Sequence, residues 1–254
     1  MSYISKKYLS MNFRFVGFLL FILCVGNGQS SLAQVLRSKG KMNQQFVMND
    51  ETVIVNQATG KRITYSAYDE LLKRNPGKYR TQPVFDKYGK ASSFALIPKT
   101  KSEIETGITL TVDEDGMPEI GQPLPAFVMT GLDGKTYDSE KLRGKYILLG
   151  FWVKYEKPMY TWESTKIISN FIQENEDKGV EIVSLGTTIN TDEECRKFIP
   201  KRNCGFVPVP NSYGFNHRYK ITETPFFVLV DKKGIVRAMA PHTEFDKISE
   251  LSLR

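Results

Sequence analysis

Three short, largely apolar runs constrain this 254-residue chain most: YILLGFW at 146–152, VEIVSLGT at 180–187 and TPFFVLVD at 224–231. Runs of this kind fit strands that are covered on both faces. Between the first two, residues 158–178 carry helical periodicity, with Ile167, Ile168, Phe171 and Ile172 on one side. After the second, TDEECRKFI opens on Thr191, a capping residue, with acids in the first turn, and reads as another helix. TPFFVLVD and GIVRAMA flank the turn DKKG as a hairpin, and a short amphipathic helix follows from Thr243. Two β-α-β alternations closed by a hairpin predict an α/β fold, a central mixed sheet flanked by helices.

Ahead of that pattern lie two short strands about a Gly-Leu-Asp-Gly turn in AFVMTGLDGKTYD, and before them an acid-, Gly- and Pro-rich linker, residues 111–125. Residues 34–115 read as a small separate α+β domain. ETVIVNQATGKRITYSAY alternates β-branched and polar residues around a Thr-Gly turn. SAYDELLKRNPG follows as a helix, with Ser66 as its cap and Asn75-Pro76-Gly77 as its stop. YRTQPVFDKYGKASSFALIP returns to strands, so a helix on an antiparallel sheet is expected, and no catalytic constellation stands out.

The first 33 residues have the layout of a secretory signal peptide: Lys6, Lys7 and Arg14, then the apolar run from Phe15 to Val25, then small residues ending at Ala33. An uncleaved membrane anchor is the alternative, and membrane contact is expected only if this segment is retained. Without it, 32 basic and 28 acidic groups remain, a formal charge of +4. No Lys/Arg tract is interleaved with aromatics, so nucleic-acid binding is not expected. The domain at 116–254 is therefore expected in the cell envelope or periplasm, where disulfides persist. Cys24 would leave with the leader, and Cys195 and Cys204 would remain. They allow a structural disulfide, a redox-active pair or two free thiols. An unbroken helix would set them ~13.5 Å apart, whereas Pro200 permits a reversal that brings Cys204 back. The two histidines, His217 and His242, do not complete a zinc-ligand spacing with them, so neither a metal nor another cofactor is implied.

GQPLPAF, DSEKLRGKYILLGFW, NEDKGVEIVSL and YKITETPFFVLVDKKGIV together resemble the thioredoxin-like superfamily. Their closest resemblance is to its exported TlpA/ResA-like and AhpC/TSA redoxin branches, over about residues 117–252. The resemblance implies a thioredoxin-like fold with the cis-proline at Thr224-Pro225, facing the active-site turn. It also implies an extended peptide or protein as partner, held against that strand through backbone. After its Phe-Trp pair the family places three residues and then Cys-x-x-Cys. Counting on from Trp152, those four positions hold Glu156, Lys157, Pro158 and Met159. A carboxylate and a thioether cannot perform dithiol exchange, which needs an attacking thiolate and a resolving thiol. Glu156 is expected just ahead of a helix N-terminus, where negative charge is favoured. The pairing of Glu163 with Ser164 reads as a solvated helix face. The expectation is an exported thioredoxin-fold protein that binds a partner without catalysis. The competing class is an oxidoreductase or antioxidant redoxin that uses Cys195 and Cys204, or a partner's thiol.

Overall fold

A computed structural model describes residues 46–108, 117–156, 161–199 and 205–253, with no side-chain description for Trp162 and Ser164. The expected leader, the boundary at 115/116, Cys204 and the middle of the candidate turn (Lys157, Pro158, Met159) lie outside the described residues.

The first hairpin pairs β1 (Ile54–Asn56) with β2 (Lys61–Ile63). Helix α1 (Tyr65–Arg74) follows. Its cap is Thr64 rather than Ser66. Thr64 has extended backbone and its hydroxyl accepts from the Ala67 amide, while Ser66 already lies inside the first turn. The helix stops at Asn75, ahead of Pro76 and Gly77. β3 (Tyr79–Phe85) and β4 (Ala91–Pro98) then form an antiparallel hairpin around Asp86–Lys90. β1 runs parallel to β4, so the sheet is mixed, in the order β2-β1-β4-β3, where an antiparallel one was expected. The connection through α1 is long enough to return the chain in the same direction. A second helix, α2 (Lys101–Thr106), was not anticipated. Thr100 and Glu103 make a capping box at its start, and the buried Glu103 carboxylate pairs with Arg80 at 3.3 Å.

β5 (Val128–Thr130) and β6 (Thr136–Asp138) form the short expected hairpin. The central sheet contains β7 (Tyr146–Phe151), β8 (Ile182–Thr187), β9 (Val207–Val209), β10 (Phe226–Val230) and β11 (Val236–Pro241), in the order β11-β10-β7-β8-β9. β7, β8 and β9 are parallel, while β10 and β11 are antiparallel to their neighbours. All six residues of β7 are buried, which accounts for its unbroken apolar run. Leu148 joins an apolar cluster on one face with Trp152, Phe171, Cys195, Phe206 and Phe227. Ile147 and Leu149 join a cluster on the other face with Phe127, Phe215 and Tyr219. This is the strand period of two, with a core on each side.

Helix α3 (Trp162–Glu176) and α4 (Asp192–Phe198) supply crossovers. Thr191 caps α4 in a capping box with Glu194. Sequence reading missed β9 and the five-residue α5 (Gly214–Arg218). The tail from His242 is a 3-10 turn and then α6 (Asp246–Ser249). The linker expectation at 111–125 needs correction at its end. Gly121, Gln122 and Leu124 exchange backbone hydrogen bonds with Gly234 and Val236, so this stretch is seated on the β10–β11 hairpin. The described residues from Met48 onward form one compact unit, and no described helix is long and apolar enough to cross a membrane.

Candidate functional site

The site lies at the C-terminal ends of β7 and β8, where open α/β sheets place their binding crevices. The chain leaves β7 at Phe151 and turns through residues 152–156. The Trp152 amide donates to the Thr187 carbonyl at 3.0 Å, and the Ile189 amide to the Val153 carbonyl at 2.9 Å. These bonds prolong the β7–β8 pairing into the turn.

Trp152 is 2% exposed. Its ring stacks on Phe206 with centroids 4.8 Å apart and meets Tyr155 and Phe227 edge-on at 5.4 Å. Its indole nitrogen is buried without a hydrogen-bond partner among the described residues. Tyr155 points inward, and its hydroxyl donates to the Gly186 carbonyl. Glycine is required at Gly150 and Gly186 by these rings. A Cβ at 186 would stand 2.6 Å from both the Tyr155 hydroxyl and the Phe206 ring, and one at 150 would overlap the Trp152 ring.

The turn is tied down by polar side chains that are almost wholly buried: Thr187, Thr188 and Asn190, with Ser212 and Asn216 behind them. Asn190 Oδ1 accepts from the Tyr155 amide at 2.7 Å and from the Thr188 hydroxyl at 3.0 Å. The Thr188 hydroxyl also lies 3.0 Å from the Val153 carbonyl. Ser212 and Thr188 bond reciprocally, with the Ser212 amide on the Thr188 carbonyl and the Thr188 amide on the Ser212 hydroxyl. The Thr187 hydroxyl donates to Asn216 Oδ1 at 3.2 Å. Sequence reading singled out none of these residues. The available signal was a polar run, TTIN at 187–190, directly after a buried strand.

Thr224 and Pro225 stand beside the turn. Antiparallel pairing sets Phe226 against Phe151, and the Thr224–Pro225 peptide bond is cis. The Pro225 carbonyl accepts from the His242 amide at 2.9 Å. Glu156 is half-exposed, with its carboxylate 3.5 Å from Lys154 Nζ. α3 begins at Trp162, and residues 157–160, where a helix start directly behind Glu156 was expected, lie outside the described residues. The described charge partner of Glu156 is the Lys154 side chain. Glu163 is exposed on α3.

Cys195 lies on α4, in the apolar cluster that also holds Trp152 and Tyr155. It is fully buried and a free thiol. Burial, reinforced by Asp192 and Glu194 and opposed by Arg196, pushes its pKa up to about 12. Its thiol donates to the Asn190 carbonyl, at 3.9 Å from the sulfur. Such a thiol is protonated at neutral pH and sterically shielded, the reverse of a reactive cysteine. Neither His217 nor His242 approaches it within any described contact, and no group of three metal-ligating side chains occurs among the described residues.

Residues 144–236 match the family described as thioredoxin-like. The thiol-disulfide oxidoreductase ResA of Bacillus thuringiensis is 29% identical over 119 residues, which is 46% of this chain and 67% of that protein. The thioredoxin-like protein YneN of Bacillus subtilis is 25% identical over 146 residues, 57% of this chain and 84% of its own. Among solved structures, a thiol-disulfide oxidoreductase from Bacteroides fragilis superimposes with a TM-score of 0.43 and 21% identity, over 52% of this chain and all of that one. A secreted disulfide oxidoreductase of Mycobacterium tuberculosis gives 0.39 and 21%, over 49% and 96%.

Proposed function

We propose that this chain, which carries a thioredoxin-like domain at residues 144–236, is an exported binding protein that uses the scaffold of thiol-disulfide oxidoreductases without their chemistry. The surface we assign to the partner is formed by the 152–156 turn and the Thr224-Pro225 segment. The partner is a protein or peptide in extended form, held mainly by backbone hydrogen bonds. The observation that carries this reading is the placement of sulfur. The chain's only cysteines are at 24, 195 and 204, so none lies in the turn. The one that is described, Cys195, is buried with its thiolate disfavoured. Counted on from Trp152, Glu156 and Met159 stand at the two thiol positions. Dithiol exchange has no nucleophile there.

Export is part of the proposal, and it rests on the leader-like first 33 residues. The second reading, an oxidoreductase working through Cys195 and Cys204, draws its support from the names of the Bacillus relatives.

Insulin reduction by dithiothreitol separates the two. The protein should leave the uncatalysed rate unchanged. Turnover that disappears on Cys195→Ser would establish the oxidoreductase reading instead. Binding is tested by titrating reduced, alkylated insulin B chain, an extended polypeptide with no reactive sulfur, and following backbone amide resonances. Saturable shifts at Trp152, Tyr155 and Phe226 are expected. Shifts scattered over the surface, or none, would sink the groove assignment.

A further inference from the structure

We propose that the tip of the β3–β4 hairpin is a strut for the candidate site: seated on α5, it holds in place the strand ends that carry the 152–156 turn. This gives the N-terminal sheet a positioning role, and it does not depend on what the site binds.

The seat is built for close approach. A Cβ at Gly214, the first residue of α5, would overlap the Gly89 carbonyl oxygen, and a Cβ at Gly89 would stand 2.8 Å from the Phe215 ring. Gly89 also has a φ of +66°, so the hairpin tip needs glycine for its own turn as well. Arg218 closes the seat from the other end of the helix. Its Nη1 donates to the Phe85 carbonyl at 2.6 Å, and its Nη2 to the Ala126 carbonyl at 3.1 Å, so one guanidinium holds β3 and the approach to β5 together. The Val128 amide reaches back to the Lys87 carbonyl at 2.7 Å, and the His217 ring stacks on Phe85 at 5.2 Å.

From α5 two routes lead to the turn, each through one buried threonine. Asn216 Oδ1 takes the Thr187 hydroxyl, and the Thr187 carbonyl takes the Trp152 amide. Ser212, just ahead of α5, is bonded reciprocally to Thr188. Thr188 holds the Val153 carbonyl and, through Asn190 Oδ1, shares an acceptor with the Tyr155 amide. A third contact is apolar: Tyr219, which follows α5, meets Phe151 edge-on at 5.8 Å. A displacement of α5 therefore reaches both sides of Trp152 through buried, directional bonds. Such bonds do not stretch: they hold or break.

The test is amide hydrogen exchange on the full chain carrying Gly214→Ala. Alanine favours helix over glycine, so any loosening must come from the wedge against Gly89 rather than from α5 itself. Exchange at Val128 should accelerate about tenfold or more, with Trp152 and Tyr155 accelerating by a comparable factor. The Tyr146 amide, bonded to the Glu181 carbonyl at the opposite end of β7 and β8, should keep its rate. If Val128 accelerates while Trp152 and Tyr155 do not, the strut is overturned. It is equally overturned if Tyr146 accelerates with the rest, or if Val128 does not respond. Should Gly214→Ala fail to fold, Arg218→Gln removes both carbonyl bonds without a clash and is read by the same amides.

Discussion

Asn190 accepts two donors on a single oxygen, so its loss is felt at both of them. Asn190→Ala leaves the Tyr155 amide without its acceptor in a buried position and shifts the Thr188 hydroxyl to the Val153 carbonyl. An unsatisfied buried donor costs ~1–3 kcal/mol, and the urea midpoint should fall accordingly, with an unchanged m-value. Gly186→Ala acts at the same place from the strand side. Forcing a Cβ between Tyr155 and Phe206 should cost ~1–3 kcal/mol as overpacking. A Gly186→Ala protein as stable as the parent would mean that the rings have room to retreat. Cys195 gives a test with a sign. Its pKa is raised, so its contribution to stability is complete below the ordinary thiol pKa of ~8.5 and is lost as pH climbs toward about 12. At about pH 8 iodoacetamide should leave Cys195 untouched in the folded protein and modify it in urea. Rapid labelling of the native state would contradict the burial described for it. At this scale the sequence showed which residues were unusual but not which were bonded. The absence of a thiol from the turn is plain from residue types alone. The Thr187–Asn190 network is not, because buried and solvated threonines look alike in a sequence, and the partners of Thr187 and Thr188 outside the run lie 24–37 positions away.

Elements were most legible where their own chemistry set their limits. Thr191 with Glu194 three residues on announces the start of α4, and β7 and β10 announce themselves by unbroken apolar runs. β9 escaped notice because it has three residues, one of them Pro208, and is placed by its pairing with the distant β8. α5 escaped because it has five residues and no capping side chain, so the tertiary seat on the hairpin makes it helical. The start of α1 turned on a choice between two hydroxyls two positions apart, and backbone decided it in favour of Thr64. That choice predicts unequal mutants. Thr64→Ala should lower stability by about 1 kcal/mol, as loss of a cap does. Ser66→Ala, exposed in the first turn, should stay within about 0.5 kcal/mol of the parent. Thermal unfolding of the two variants side by side decides it, and equal effects would return the cap to Ser66.

For the whole molecule, the two sheets share one seat, which predicts one transition. Tryptophan fluorescence reports only Trp152 and Trp162, whereas far-ultraviolet circular dichroism also reports the N-terminal sheet. The two denaturation curves should coincide. A separate transition seen only by dichroism would mean that residues 48–108 fold on their own. The general plan of the central sheet was readable in advance, because strands buried on both faces demand helices on both sides. The parallel β1–β4 pairing was not, since pairing partners in a short sheet are set by how its connections cross rather than by composition. The bond from Arg218 to the Phe85 carbonyl spans 133 positions. A chain made from its N-terminus has all the residues of the first sheet long before the helix that receives its hairpin exists. During that interval the Gly89 tip and the Phe85 ring stand open. The molecule therefore has a built-in order of assembly, in which the earliest segment is finished last, and anything that engages a half-made chain meets that uncovered hairpin first.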